Sequence, residues 1–218
     1  MIFLNRNVFF LALVFCSILQ TKAQKSVQLV GQANSGIKEA PEAESIKGSQ
    51  FLDDKFVNGK IGNLNKAFRY NIFKDQVEYL ENGQALVLIP SVENSPIVFR
   101  DNSILVQKTF PWKGGTATGY VFQLYEKDNV GVYMKKSKKF MPAVKAVSTL
   151  ERDMAASYSD GSDTYFIQIN NDDLKEISLT KKKFVELFPD KKDEINAVKS
   201  SNKLDLQSLK QVVDVVAK

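Results

Sequence analysis

The sequence contains no histidine and only one cysteine, Cys16. Without an imidazole, a chain cannot carry a Ser-His-Asp triad, a Cys-His pair, a histidine zinc site or a histidine acid-base catalyst. Because most common secreted hydrolases depend on one of these groups, we predict a non-enzymatic protein with no catalytic residue, no metal site and no cofactor. The enzymatic alternative that remains is a hydrolase built on two carboxylates.

The chain also lacks an apolar run long enough to span a bilayer, which takes about 20 residues. The apolar run 8–19 follows Arg6 and precedes the small-x-small sequence at 21–23, which is the order of a secretory signal peptide. We therefore predict a signal peptide over 1–23, a mature chain that begins at Gln24, and export to the periplasm or to the outer surface. Cleavage would also remove the cysteine and with it any disulfide.

A strong charge of one sign is absent as well. The chain has 30 basic and 25 acidic residues, and removal of Arg6 and Lys22 with the signal peptide lowers the net charge from +5 to +3. Such a small excess makes nucleic acid an unlikely partner and permits only weak attraction to an anionic glycan or lipid. With 44% apolar residues, the mature chain is expected to fold.

The hydrophobic pattern predicts an α+β fold in three parts. Residues 24–50 have few large apolar side chains and are predicted to be a mobile N-terminal linker, 51–178 a β-rich domain, and 179–218 a helical segment packed on that domain. Asn82-Gly83 is a strong hairpin signal, so we expect an antiparallel β-meander sheet or partial barrel. Residues 144–163 are predicted to be a loop. The candidate strands are 66–73, 76–81, 84–89, 97–100, 103–110, 118–126, 130–140 and 164–169, with a short strand in 174–178.

The C-terminal segment has the apolar spacing of short amphipathic helices. Thr180 is a candidate N-cap, and Phe184, Leu187 and Phe188 are predicted to anchor the first helix. Asp205 is a candidate N-cap for the last helix. Helices this short need tertiary contacts, so we expect them to pack on the sheet or on one another.

The best candidates for a ligand or anion contact are Trp112, Tyr133 and the basic residues Lys135, Lys136, Lys138 and Lys139. Basic residues next to aromatic ones can hold an anionic glycan or a nucleic acid strand. The same lysines would also protect an exposed edge strand from pairing with another chain. Trp112 would either stack on a ligand or pack over one end of the sheet.

Three other patterns give weaker signals. Glu78 and Glu81 are the best carboxylate pair, although residues three apart point to opposite faces of a strand. Oxygen-rich sequences at 159–163 and 170–173 are typical of turns and do not have the spacing of a calcium loop. The glycine-rich sequence 114–119 lacks the ending of a P-loop and precedes a strand, so it is predicted to be a hairpin connection.

Three stretches of the chain resemble uncharacterised secreted families that are abundant in Bacteroidetes. These are FRYNIFKDQVEYLENGQALVLIP, GYVFQLYEKDNVGVYMKKSKKFMPAVKA and KKFVELFPDKKDEINAVKSSNKLDLQSLKQVV. The resemblance covers most of the chain from about Phe51. It implies a signal peptide, a β-rich body and a lysine-rich helical tail, and brings no activity or catalytic residue.

From these features we expect an exported envelope protein that acts as a binding or structural module. The partner is unknown, and an envelope protein, an anionic glycan or a lipid is consistent with the sequence. The alternative is a carrier of an amphiphilic ligand in a curved sheet, with a cavity lined by Phe68, Tyr70, Phe122 and Tyr133.

Overall fold

The structure is a computed structural model that describes residues 31–33, 46–89, 96–147 and 152–217. The predicted signal peptide over 1–23, the predicted mature terminus at Gln24, and Cys16 lie outside the described residues. Within the described part of the chain, no helix combines the length and the apolar character that a membrane span requires.

The fold is α+β, and most of it is one eleven-stranded antiparallel sheet. The sheet has the order β1-β5-β4-β3-β2-β6-β7-β8-β9-β12-β13, and β10 pairs with β11 in a separate two-stranded sheet. The strands are β1 Gly31–Ala33, β2 Val57–Ile61, β3 Leu64–Asn71, β4 Gln76–Glu81, β5 Gln84–Leu88, β6 Ile97–Phe99, β7 Ile104–Trp112, β8 Gly115–Lys127, β9 Val130–Lys135, β10 Lys138–Met141, β11 Ser157–Asp160, β12 Thr164–Ile169 and β13 Lys175–Glu176.

Tight turns set the antiparallel register. Asn82 and Gly83 both have positive φ, and the flanking residues Glu81 and Gln84 pair directly, which confirms the predicted hairpin. Lys113 and Gly114 form a second two-residue turn with φ values of 50° and 81°. This second turn joins the two longest neighbouring strands, β7 and β8.

The sheet curls strongly, as a partial barrel does. Strands β3 and β8 are four steps apart in the sheet order, and in a flat sheet four steps would separate them by about 19 Å. Yet the ring of Tyr70 on β3 lies 6.0 Å from the rings of both Tyr120 and Phe122 on β8. Apolar side chains from β2 to β8 fill the inside of this curl, among them the fully buried Phe68 and Val77.

Three helices follow the last strand: α1 Lys181–Leu187, α2 Lys192–Ala197 and α3 Leu206–Val216. The Thr180 side chain accepts a hydrogen bond from the Lys183 backbone, and Asp205 caps α3 in a capping box with Ser208. The helices pack against the part of β8, β9 and β12 that the curl leaves uncovered, with Phe184 and Leu209 fully buried. This core gives the helical segment the tertiary contacts that such short helices need.

The structure differs from the sequence prediction at several strand boundaries. The predicted strand 130–140 is two strands, because the chain turns at 136–137 between β9 and β10. The predicted loop 144–163 contains β11 and the paired residues Val144 and Met154. Within the predicted linker, β1 pairs with β5, and Lys47 pairs with Ser157.

Candidate functional site

Most of the predicted contact residues meet at one cavity of about 510 Å³, which we call the lysine pocket. Five lysines line it together with Trp112, Phe110, Phe73 and Asp75. The lysines are Lys113, Lys135, Lys136, Lys138 and Lys139. The volume falls in the range of small-molecule sites, about 300 to 1,000 Å³.

The aromatic wall of the lysine pocket comes from the end of the β7–β8 hairpin. Phe110 is buried and packs on Phe166, with ring centroids 5.2 Å apart. Trp112 is half-buried and meets Phe110 edge to face at 5.9 Å. The tight turn then carries Lys113, whose ammonium lies 5.9 Å from the Trp112 ring centroid. Trp112 is therefore held in place on one side and contributes to the pocket on the other.

A sharp corner between β9 and β10 supplies the other lysines. The Ser137 hydroxyl donates to the Ser162 carbonyl oxygen over 2.9 Å, and the Gly161 N–H donates to the Ser137 carbonyl oxygen over 2.8 Å. A Cβ atom at Gly161 would lie only 2.2 Å from the Ser137 hydroxyl, so this close approach requires glycine. The corner brings Lys136, Lys138 and Lys139 to the cavity.

The floor of the pocket is an ion pair between the buried Lys135 and the half-buried Asp75. The Lys135 ammonium lies 2.6 Å from an Asp75 carboxylate oxygen and also donates to the Tyr70 hydroxyl at 3.1 Å and to the Tyr120 carbonyl oxygen at 2.9 Å. The Tyr70 hydroxyl donates to Asp75 at 2.6 Å. This network attaches the β3–β4 turn to β8 and β9.

Burial shapes the titration of this network. It lowers the pKa of Lys135, while the nearby Asp75 carboxylate opposes that shift. Burial raises the pKa of Tyr70 strongly, with a further contribution from Asp75, and raises the pKa of Tyr120 to about 12. Both phenols therefore stay protonated at neutral pH.

Not all of the pocket's positive charge is compensated. Lys135 pairs with Asp75, Lys136 with Asp163 at 3.4 Å, and Lys138 with Asp160 at 2.8 Å. The other two lysines of the pocket have no acidic partner in the described part of the chain. Five ammonium groups against three carboxylates leave the site with a net charge of +2. The two uncompensated lysines, Lys113 and Lys139, are both exposed.

Tyr133 does not share this site, which corrects its prediction as a ligand contact. Its side chain is fully buried, and its hydroxyl donates to Glu126 at 2.9 Å and contacts Gln168 at 3.3 Å. Burial raises the pKa of Tyr133, and the Glu126 carboxylate adds to the shift. The sequence predicts one strand over 130–140, with edge protection as one interpretation of its lysines, whereas β9, which carries Tyr133, is an interior strand between β8 and β12.

The edge-strand interpretation of the lysines applies to β10. In the described residues β10 pairs only with β11, so it presents an edge that carries Lys138 and Lys139. Edge protection and ligand contact are therefore compatible functions of the same two side chains.

The structure accounts for the weaker sequence patterns without assigning them to a site. Glu78 is buried and bound to Arg69 at 2.5 Å, while Glu81 pairs with Lys66. Of the glycine-rich stretch 114–119, which is predicted to be a hairpin connection, only Gly114 lies in the turn, and residues 115–119 belong to β8. Over the ranges that the structure describes, no three acidic, cysteine or histidine side chains lie close enough together to hold a metal ion.

The cavity predicted for an amphiphile is not formed by the four aromatic residues named for it. Phe68, Tyr70 and Phe122 pack together inside the curl, while Tyr133 lies in a separate cluster with Phe110 and Phe166. A different cavity has a volume of about 600 Å³. Its apolar lining includes Leu52, Val57, Phe68, Tyr70 and Phe99, and its polar lining consists of Asp53, Lys55, Arg69, Arg100, Asp101 and Ser103.

Sequence reasoning missed four contributors to the lysine pocket, Phe73, Asp75, Phe110 and Lys113. Phe73 and Asp75 belong to the β3–β4 turn, far in sequence from the lysines, and Phe110 and Lys113 lie at the end of the β7–β8 hairpin, well before Lys135. Asp75 has a left-handed φ of 55°. That conformation is uncommon for a residue other than glycine, but the sequence shows only an ordinary Lys-Asp turn.

Searches with the sequence and with the fold found no matching protein-family profile, curated protein or solved structure.

Proposed function

We propose that this protein is an exported, non-enzymatic binding module whose lysine pocket holds an acidic saccharide. The observation that carries the proposal is the placement of two uncompensated lysines, Lys113 and Lys139, around the same cavity as Trp112. Ammonium groups attract sulfate or carboxylate groups, and an indole ring offers a flat apolar surface to a sugar ring. The signal-peptide pattern at 1–23 supports an extracytoplasmic ligand.

The arrangement favours binding over catalysis. Among the described residues, Asp75 is the only carboxylate that lines the pocket, and it is engaged by Lys135 and Tyr70. Glycoside hydrolysis by the usual route needs two carboxylates on either side of the scissile bond. The buried Lys135 is held by three oxygen atoms, so its part in the pocket is to support the floor.

Trp112 is the only tryptophan in the sequence, so its fluorescence reports directly on the lysine pocket. Titration with a sulfated oligosaccharide should change the emission saturably at low salt, and added salt should weaken the affinity because the attraction is electrostatic. The desulfated form of the same oligosaccharide should bind much more weakly.

The matched variants are Lys139→Gln and Lys175→Gln, since both side chains are exposed but only Lys139 lines the pocket. Loss of one charge contact of about 1 kcal/mol should weaken binding about fivefold in Lys139→Gln. Lys175→Gln should bind like the parent protein. Equal affinity for the sulfated and desulfated sugars, or equal effects of the two substitutions, would refute the proposal.

The second cavity supports another candidate function, the carriage of an amphiphile. Phe68 and Phe99 give this cavity an apolar interior, and Arg100, which has no carboxylate partner among the described residues, lines it where it would neutralise a carboxylate head group. A dansyl-labelled fatty acid should then bind with increased emission, and Leu52→Asp should weaken it because Leu52 lines the cavity and is 45% exposed. The control is Leu206→Asp, at a helix residue that is 51% exposed and lies outside the cavity. No binding, or equal binding by both variants, would exclude this function.

A further inference from the structure

The sequence contains two Asn-Gly pairs, Asn58-Gly59 and Asn82-Gly83, and the fold places them in opposite environments. An asparagine that precedes glycine can react with its own backbone. The following backbone nitrogen attacks the side-chain amide, and glycine has no side chain to obstruct the approach. The attack requires rotation of the asparagine out of its folded conformation, so the surroundings of each pair decide whether it reacts.

The Asn82-Gly83 pair forms the tip of the β4–β5 hairpin, and both residues are exposed. A Cβ atom built on Gly83 would have no neighbour within 4 Å. Within the described part of the chain, neither the Asn82 side chain nor the Gly83 N–H has a hydrogen-bond partner. The tip can therefore rotate without breaking a side-chain contact or a cross-strand pair beyond Glu81 and Gln84.

The Asn58-Gly59 pair lies inside the sheet, on β2 between β3 and β6, and Gly59 pairs with a residue of each neighbouring strand. The Asn58 carbonyl oxygen accepts a hydrogen bond from the Arg100 N–H at 3.0 Å. A Cβ atom at Gly59 would lie 3.0 Å from the Phe68 ring and 3.0 Å from the Val98 carbonyl oxygen, so the backbone is closely surrounded. Rotation at Asn58 therefore requires the sheet to open locally.

We propose that the tip of the β4–β5 hairpin is a modification site, at which Asn82 of the folded protein is converted to aspartate and isoaspartate while Asn58 is protected. The Gly83 nitrogen gives its proton to solvent base and bonds to the side-chain carbonyl carbon of Asn82. The bond from that carbon to the amide nitrogen breaks, and ammonia leaves. Water then opens the cyclic imide at either of its carbonyl carbons. The net reaction consumes water, releases ammonia and involves no oxidation or reduction.

The modification changes the hairpin in two respects. Either product adds a negative charge next to Glu81, whose carboxylate already pairs with Lys66. The isoaspartate product also carries the main chain through the former side-chain methylene group, which lengthens the backbone at the tip. A two-residue turn cannot take up this extra length while Glu81 stays paired with Gln84. The ends of β4 and β5 should therefore separate in the isoaspartate form.

Mass spectrometry of peptides from aged protein tests the proposal. After the full chain is incubated at mildly alkaline pH in heavy-oxygen water, the peptide with Asn82 should contain aspartate and isoaspartate, both labelled with heavy oxygen. Conversion of Asn82 should be at least about tenfold faster than that of Asn58, because the sheet must open before Asn58 can react. In urea, which removes the sheet, the two rates should become similar. Equal rates in the folded protein, or aspartate without isoaspartate, would overturn the proposal.

Matched variants connect the reaction to the hairpin tip. Asn82→Gly keeps a dipeptide that suits a type I′ turn but removes the reactive amide, so the acidic isoform that ion-exchange chromatography resolves in aged protein should be absent. Asn58→Gln, at the other exposed asparagine, should retain this isoform. An acidic isoform that persists in Asn82→Gly would contradict the assignment. Neither residue of the tip lines the lysine pocket, so these results do not depend on whether the pocket binds a saccharide.

Discussion

Removal of Asp75 should destabilise the protein far more than removal of its partner, Lys135. In Asp75→Asn, the Lys135 ammonium remains only 6% exposed and loses its carboxylate, so that all its oxygen acceptors, including those of Tyr70 and Tyr120, are neutral. Breaking a buried ion pair in this way costs about 3 to 5 kcal/mol. Since the Asp75 side chain is itself 30% exposed and water reaches this side of the pair, we expect a loss near the lower end, about 3 kcal/mol.

In Lys135→Met the buried charge is absent, and Asp75 keeps its contact with solvent and the hydrogen bond from Tyr70. The loss should be about 1 kcal/mol or less, since a buried ion pair can often be replaced by an apolar side chain at little cost. The double variant should be close to Lys135→Met in stability, because it contains neither charge of the pair. Urea unfolding of the parent, both single variants and the double variant gives the coupling energy directly.

The pH dependence supplies an internal check on the cause. A lysine whose folded pKa is lowered by burial binds fewer protons when folded than when unfolded, so stability rises as pH rises through the folded pKa. Loss of the Asp75 charge lowers the pKa of Lys135 further and moves this gain to lower pH. Asp75→Asn should therefore recover part of its deficit as the pH rises toward the ordinary pKa of lysine. Equal losses in the two single variants, or a deficit that does not change with pH, would refute the reasoning.

Three further predictions concern the cores. Phe184→Ala should lower the free energy of unfolding by about 3 kcal/mol because the ring is fully buried between the helices and the sheet. Leu187→Ala should lower it by less than about 1 kcal/mol because Leu187 is 39% exposed. Comparison of the urea midpoints of the two variants checks this. Gly119→Ala should lower the thermal midpoint by several degrees, since the added Cβ would lie 2.0 Å from an Asp75 carboxylate oxygen, and an unchanged midpoint would contradict the contact. The pKa of Tyr120 is raised to about 12, so its contribution to stability is fully present below about pH 10 and is lost as the pH rises toward 12. The absorbance of the phenolate should therefore rise together with unfolding. A gradual rise of this absorbance in the folded protein would contradict the prediction.

The sequence was most informative where a local pattern determines structure. The Asn82-Gly83 hairpin follows from the positive φ that both residues tolerate, and the caps of the first and last helices follow from side chains next to the turns they bind. Phe184 could be identified as an anchor from helical spacing alone. Leu187, in the same pattern, lies at the exposed rim of that face, because spacing does not show how far the sheet extends over a helix.

Features that depend on contacts between distant segments could not be predicted from the sequence pattern. The sequence predicts one strand over 130–140 because no proline or Asn-Gly signal interrupts it, whereas the turn at 136–137 depends on the close approach of Gly161. The lysine pocket needs three segments to meet, and its ion pair joins residues 60 positions apart. Tyr133 was misplaced for the same reason, since whether a strand lies at an edge is decided by its neighbours in the sheet.

The indole N–H resonance of Trp112 gives the most direct test of the saccharide site. With one tryptophan in the sequence, a two-dimensional proton–nitrogen spectrum of the folded protein contains one such signal. On titration with the sulfated oligosaccharide, the account predicts a saturable shift of this signal that follows the same binding curve as the Lys113 and Lys139 backbone amides. A Trp112 signal that does not move while other regions respond, or no response anywhere, would contradict the central claim.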